Sequence, residues 1–198
     1  ARATADPHLM IASGACLEHY GAAEPYFPVL EALGRLLRET VADRLISVLE
    51  THAPTWLAQL PWLKHPGDRE PVRHVLGVTK ERMLREMAEA LEALTAKTAL
   101  VLVLEDLHWS DYSTLDLLGM LARRREAARL LVVGSYRSVD VIVKPHPLRG
   151  LIQELRVRRQ CEDIALAFLR EPHVAAYLAQ RFGGHAFPSE LARAVHQR

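Results

Sequence analysis

Glu105 and Asp106 stand side by side where an apolar run, Ala99 to Leu104, gives way to "EDLHWSD". An acid at the tip of a buried strand can hold Mg²⁺, usually through water, and a neighbouring acid can then orient or deprotonate an attacking water. A second apolar run, "ARLLVVGSYR" (128–137), ends in Ser135, Tyr136 and Arg137, where a guanidinium can read a terminal phosphate bidentately. If the two strands are neighbours, the acids and Arg137 face one crevice, which is the back half of a nucleoside triphosphatase. The plainer alternative is that the acids mark where a strand reaches water and cap the next turn, and that Arg137 is a surface charge. His108 and Trp109 read as packing residues beside the crevice. His52 and His65 fit no metal-ligand pattern, and the "RRR" of 123–125 suits a helix C-terminus, where cations complement the dipole.

Those residues need a sheet to hold them. "HLMIASGACL" (8–17), "TALVLVLED" (98–106) and 128–137 read as buried strands, and 161–169 as a strand followed by a turn. Helical patterns lie between them. Over 18–40 a Gly- and Pro-punctuated loop becomes a helix with Pro28 in its first turn and Val29, Leu30, Leu33, Leu36 and Leu37 on one face. Val41 to Leu49 forms a second helical pattern. The stretch 53–71, with four prolines and two tryptophans, predicts short helical turns and loops. The clearest helix is 78–96, with Met83, Leu84, Met87, Leu91 and Leu94 as its stripe. In 110–125, Ser113 is the expected cap, with Asp116 three residues on, and Leu115, Leu118 and Leu121 line one side. A short amphipathic helix is expected over 146–159, and two more at 171–182 and 187–196. Strands lacking period-2 alternation, each separated by helical sequence, predict an α/β fold with a parallel sheet covered on both faces.

Composition narrows the function classes. Lys plus Arg number 25 against 24 for Asp plus Glu, so charge does not single out nucleic acid or an anionic membrane as partner. No apolar run approaches the roughly 20 residues a membrane span needs. Cys16 and Cys161 make no disulfide framework, which suits a cytoplasmic location.

"LVLVLEDLHWSDYSTLDLL" resembles the Walker B region of the STAND branch of AAA-like P-loop ATPases, above all that of bacterial multidomain signalling and transcriptional regulators. "LLVVGSYR" is similar to their sensor strand, "GACLEHYGAAEPYFPVLEAL" to their second strand and following helix, and "HPLRGLIQEL" and "VAAYLAQRF" to the later core and the start of the helical lid. The resemblance implies a three-layer P-loop NTPase core of the ASCE/AAA-like type over 1–170, interrupted by a large helical insertion at about 25–96, with the lid beginning at 171–198. It implies ATP and Mg²⁺ as cofactors. Glu105 takes the place of the Mg²⁺-associated acid, Asp106 that of the catalytic or water-positioning acid, and Arg137, with Ser135 beside it, that of the phosphate sensor. Many relatives carry Asp where Glu105 stands, which leaves the metal and catalytic roles divided between Glu105 and Asp106.

A P-loop, G-x-x-x-x-G-K-[ST], cradles phosphates with its backbone amides and neutralises them with its lysine. Here the residues before the lysines are Leu63, Thr79, Ala96 and Val143, so no lysine follows a glycine. In the family the loop lies upstream of the strand that here begins near His8. The expectation is therefore a fragment of an ATPase domain, inactive alone, whose intact parent is an ATP-dependent conformational switch. Its first strand would belong between the "SYR" strand and the segment near Ile164, leaving a gap or letting that segment slide inward. The expected partners are other domains of the parent: DNA-binding, kinase or cyclase and helical-repeat modules, with self-association also open. No membrane contact or direct nucleic-acid binding is expected of this segment. The alternative from another class is a non-catalytic interaction scaffold that has lost its phosphate loop, with Tyr26, Trp56 and Trp62 as partner contacts or, more commonly for such aromatics, core.

Overall fold

The computed structural model describes residues 8–18, 24–39, 41–60, 79–143, 146–184, 187–188 and 190–197. Trp62, His65 and the other residues of 61–78, in the expected helical insertion, lie outside the described residues. The chain divides into two compact units, 1–161 and 162–198.

The described residues of the first unit are built on three parallel strands in the order β1 (Leu9–Ala15), β2 (Ala99–Glu105), β3 (Leu130–Gly134). Leu9 pairs with Ala99 and Ala15 with Glu105, while Leu100 pairs with Leu130 and Leu104 with Gly134. Among the described residues, α1 (Phe27–Leu36), α2 (Ala42–His52) and α4 (Lys80–Thr95), with the single-turn α3 (Pro54–Leu57), fall between β1 and β2. α5 (Tyr112–Arg123) connects β2 to β3, and α6 (Ser138–Val143) and α7 (Leu148–Val157) follow β3. Parallel neighbours require such crossovers, so the α/β reading holds.

Met10, Ala12, Leu100, Leu102 and Leu104 are buried together with the apolar stripe of α1. Pro28 sits in the first turn of α1, where its missing N–H costs nothing. Gly14 is required at this contact: a Cβ there would collide with the Pro28 carbonyl. The expected stripe of α4 is buried at Met83, Met87, Leu91 and Leu94, with Leu84 half-buried.

The region between β1 and β2 has its own polar ties. Trp56 is fully buried, donates from Nε1 to the Met83 carbonyl at 2.8 Å and packs against the buried Tyr26 ring at 4.7 Å. The Glu86 carboxylate, also buried, accepts from the Thr55 N–H (2.9 Å), the Thr55 hydroxyl (3.0 Å) and Arg82 Nε (2.7 Å). Arg44 of α2 donates to the Leu94 carbonyl and to Thr98 Oγ1, placing a cation at the C-terminal end of α4.

Several expectations are corrected. The cap of α5 is Asp111, which accepts the Thr114 N–H at 2.9 Å; Ser113 lies inside the helix. In that helix Leu117 is fully buried, while Leu118 and Leu121 are half-buried. Among the described residues, helices cover one face of the sheet. On the other face Leu9, Ile11, Leu131 and Val133 are exposed among the described residues, and the outer edge of β3 pairs with no strand there. Residues 161–169 form no strand. A strand exists through its pairing, and no described strand pairs with these residues; Ile164, Leu166 and Phe168 are exposed at alternate positions. α6 was not foreseen: "SVDVIV" is rich in β-branched residues, which are weak helix formers.

In the second unit α8 (Glu171–Arg181) packs on α9 (Leu191–His196), with Val174 and Ala192 as the buried contacts.

Candidate functional site

The site is the place where β2 and β3 end next to each other. β2 stops at Glu105, and the next residue turns the chain: Asp106 has φ 57° and ψ 42°, in the left-handed region. For an L-residue that conformation costs about 1–2 kcal/mol, and Asp is among the few side chains that adopt it. A single 3₁₀ turn, Leu107–Trp109, follows.

Ser135 holds this turn to β3. Its N–H donates to the Leu104 carbonyl (3.0 Å), its carbonyl accepts from the Leu107 N–H (2.8 Å), and its Oγ accepts from the Asp106 N–H (3.1 Å). The turn can lie this close because residue 134 is glycine; a Cβ there would run into Leu107 Cδ1. Two residues on, the Arg137 N–H donates to His108 Nδ1 at 3.4 Å, and its guanidinium lies over the Trp109 ring, 5.5 Å from the centroid. That distance is within cation–π range. His108 and Trp109 themselves stack at 4.5 Å.

The two acids differ in setting. Glu105 belongs to the strand positions that face the open side of the sheet and is exposed, with its carbonyl taken by the Cys16 N–H at 2.9 Å. Asp106 is half-buried, its Oδ1 3.9 Å from His108 Nδ1. His108 is shut off from solvent, and burial pushes its pKa below the ordinary histidine value. Asp106 and Asp140 oppose that shift, and Arg137 and His146 add to it. The ring is neutral at neutral pH. A second histidine ties the next segment down: His146 accepts the Leu148 N–H at Nδ1 and therefore donates from Nε2 to the Ser110 carbonyl at 3.1 Å.

The structure thus puts Asp106, Ser135 and Arg137 around one junction, with Glu105 alongside on the open face. His108 was read as packing. Its role in tying β3 to the turn was not foreseen, and neither was Asp140, whose carboxylate faces it at 3.4 Å. Sequence carries no spacing rule that pairs residues 108 and 140 across an intervening strand. Two arginines of the "RRR" run are held in ion pairs: Arg123 with Glu154, and Arg124 with Glu92.

Charge and donor types here fit a metal–phosphate group: two carboxylates and a guanidinium at one sheet end. Among the described residues no three His, Cys, Asp or Glu side chains are grouped to hold a metal ion unaided. Mg²⁺ would need phosphate oxygens and waters to complete its shell, as is usual for that ion. A cleft by Cys16, Phe27 and Trp109 has space for one water, about 10 Å³. A shallow depression of about 620 Å³ lies by α6 and α7 and is lined by Tyr112, His146 and Arg149; neither Glu105, Asp106 nor Arg137 lines it. Among the described residues no helix is long and apolar enough to cross a membrane.

Comparison with known proteins identifies the family. The family model described as AAA ATPase domain matches residues 1–133, which includes β1, β2, the acid pair and all but the last residue of β3. No curated protein and no solved structure matches the chain. With a parallel sheet, adjacent acids at the end of its central strand and a family match over about two thirds of its length, the chain belongs to the AAA ATPase domain family, whose members are ATPase-type nucleotide-binding domains.

Proposed function

We propose that this chain is the Walker B and sensor portion of a STAND-type ATPase domain, and that it serves as an ATP-dependent conformational switch in a cytoplasmic signalling or transcriptional regulator. One observation carries the reading: the Asp106 turn is hydrogen-bonded to Ser135, so the acid pair and the Arg137 strand end behave as one rigid unit. In this reading Glu105, free on the open face, is the acid associated with Mg²⁺. Asp106, its backbone fixed in the left-handed turn, orients the attacking water, and Arg137 reads the terminal phosphate. Bound Mg²⁺ would supply charge neutralisation at the phosphates. The chain's own residues orient, read charge and join the two strands.

The phosphate cradle is not part of this sequence, because no lysine follows a glycine. The open edge of β3, flanked by the exposed Leu131 and Val133, offers a parallel strand carrying such a loop a place to pair. Intact, the domain would hand nucleotide state to neighbouring modules of a parent protein, DNA-binding, kinase, cyclase or helical-repeat domains, or to a second copy.

The test is Mg·ATP binding by calorimetry, comparing this chain with one extended upstream by a strand and a G-x-x-x-x-G-K-[ST] loop. The switch reading expects binding by the extended chain alone, and loss of turnover on Glu105→Gln or Asp106→Asn. If the extended chain does not bind, a second reading takes over: a non-catalytic scaffold derived from the same fold. The missing Gly-Lys pair favours that reading. The burial of Tyr26 and Trp56 removes two of the partner contacts it had.

A further inference from the structure

His108 is unusual among the polar side chains near the strand ends. Its side chain has no solvent exposure, and its Nε2 is buried without a hydrogen-bond partner. A buried polar atom left unpaired costs about 1–3 kcal/mol, so such an atom calls for a reason. The surroundings supply one. The Arg137 N–H donates to Nδ1, and Asp106 Oδ1, at 3.9 Å, is too distant to take a proton from that nitrogen. A neutral ring that accepts at Nδ1 must carry its proton on Nε2. The nearest acid to that nitrogen is Asp140, whose Oδ2 lies 3.4 Å away without forming a hydrogen bond. Asp140 lies in α6, which begins directly after Arg137 and whose Val141 N–H donates to the Arg137 carbonyl at 3.3 Å.

We propose that His108 is a positioning residue: with Nδ1 it holds the Arg137 backbone, with Nε2 close to the Asp140 carboxylate it couples α6 electrostatically to the acid turn, and the adjacent Trp109 carries the guanidinium. Arg137, Asp106 and α6 then shift as a unit, and a change at the Arg137 head group is passed to α6. Trp109 cannot do this alone, because a cation–π contact orients only the guanidinium. The backbone hydrogen bond determines where the side chain starts. The significance for phosphate reading rests on the role given to Arg137 above, but the test needs no nucleotide, so either idea can fail without the other.

The experiment is NMR on the 198-residue chain. The ring ¹⁵N shifts of His108 should report an acceptor-type Nδ1 and a protonated Nε2 at neutral pH. The Arg137 side-chain protons should be displaced upfield by the Trp109 ring, and Trp109→Leu identifies that displacement by abolishing it. His108→Leu is expected to cut the displacement at least twofold. His108→Asn, whose Oδ1 can take the place of Nδ1, should keep most of it. Asp140→Ala should reduce the Nε2-protonated signature without unfolding the chain. The inference is overturned if the ring carries its proton on Nδ1. It is equally overturned if Arg137 keeps its full displacement in His108→Leu, or, should that variant not fold, if Asp140→Ala leaves the ring and Arg137 signals unchanged.

Discussion

Leu107 packs directly over Gly134, with no room for even a methyl group between them. This contact lets the turn after β2 lie on the end of β3, and Ser135 then supplies the hydrogen bonds. Gly134→Ala should therefore push the Leu107 side-chain tip aside, at a cost of about 0.5–1.5 kcal/mol for leaving its rotamer. Gly134→Ala combined with Leu107→Ala should recover part of the stability relative to the sum of the single changes, because both act on one contact. Urea denaturation of the three variants checks this. Strictly additive losses would mean that the two residues do not compete for the same space.

Trp56 contributes both packing and a hydrogen bond. Trp56→Phe removes the Nε1 donor and leaves the Met83 carbonyl without it; we expect a loss of about 1–3 kcal/mol. Trp56→Ala should cost more, about 3–5 kcal/mol, as the cavity is added. Chemical denaturation followed by far-UV circular dichroism separates the two, and equal losses would show that packing contributes little.

Glu86 is a buried charge made tolerable by three donors. In Glu86→Leu the Thr55 N–H loses its acceptor in a buried position, and about 1–3 kcal/mol should go with it. Glu86→Gln keeps one carbonyl oxygen for that N–H and should lose less. The expected order of urea midpoints is wild type, then Gln, then Leu. A Leu variant as stable as the Gln variant would show that the donors find other partners.

Much of this framework was legible in the sequence because it depends on local chemistry. Continuous apolar runs marked all three strands, and the 3.6-residue stripe of α4 and Pro28 at the start of α1 marked helices. The pairing of residues 105–106 with 135–137 followed once β2 and β3 were taken as neighbours. What was missed depends on the rest of the fold. Asp111 and Ser113 are both good caps, and only the path out of the 3₁₀ turn selects Asp111. Ile164, Leu166 and Phe168 carry a strand pattern, but a pattern is not a partner.

Cys16 gives a pH signature. Burial, followed by the nearby Asp111, Asp106 and Glu31, pushes its thiol up to about 12 from 9.0. Between those values the unfolded chain gives up the thiol proton and the folded chain keeps it. The contribution is thus fully present below about pH 9 and is lost as pH rises toward 12, by at most about 1.4 kcal/mol per unit. Other groups also titrate in that range, so the measurement is the difference between wild type and Cys16→Ala. Wild type should lose stability more steeply above pH 9. Alkylation at pH 8 should also be slow at Cys16 and faster at the half-buried Cys161.

The bare outer edge of β3 has a colloidal consequence. Leu131 is 57% and Val133 44% exposed, and beside them runs a row of backbone donors and acceptors that no described strand uses. An apolar sheet edge of this kind is a template for another strand, and at high protein concentration the strand nearest to hand belongs to a neighbouring molecule. Shelf life and expression yield would then be governed by five residues at the rim of the sheet and hardly by the folding free energy. A single lysine in place of Val133, the kind of gatekeeper that sheet edges commonly carry, should slow aggregation while leaving the melting temperature nearly where it was.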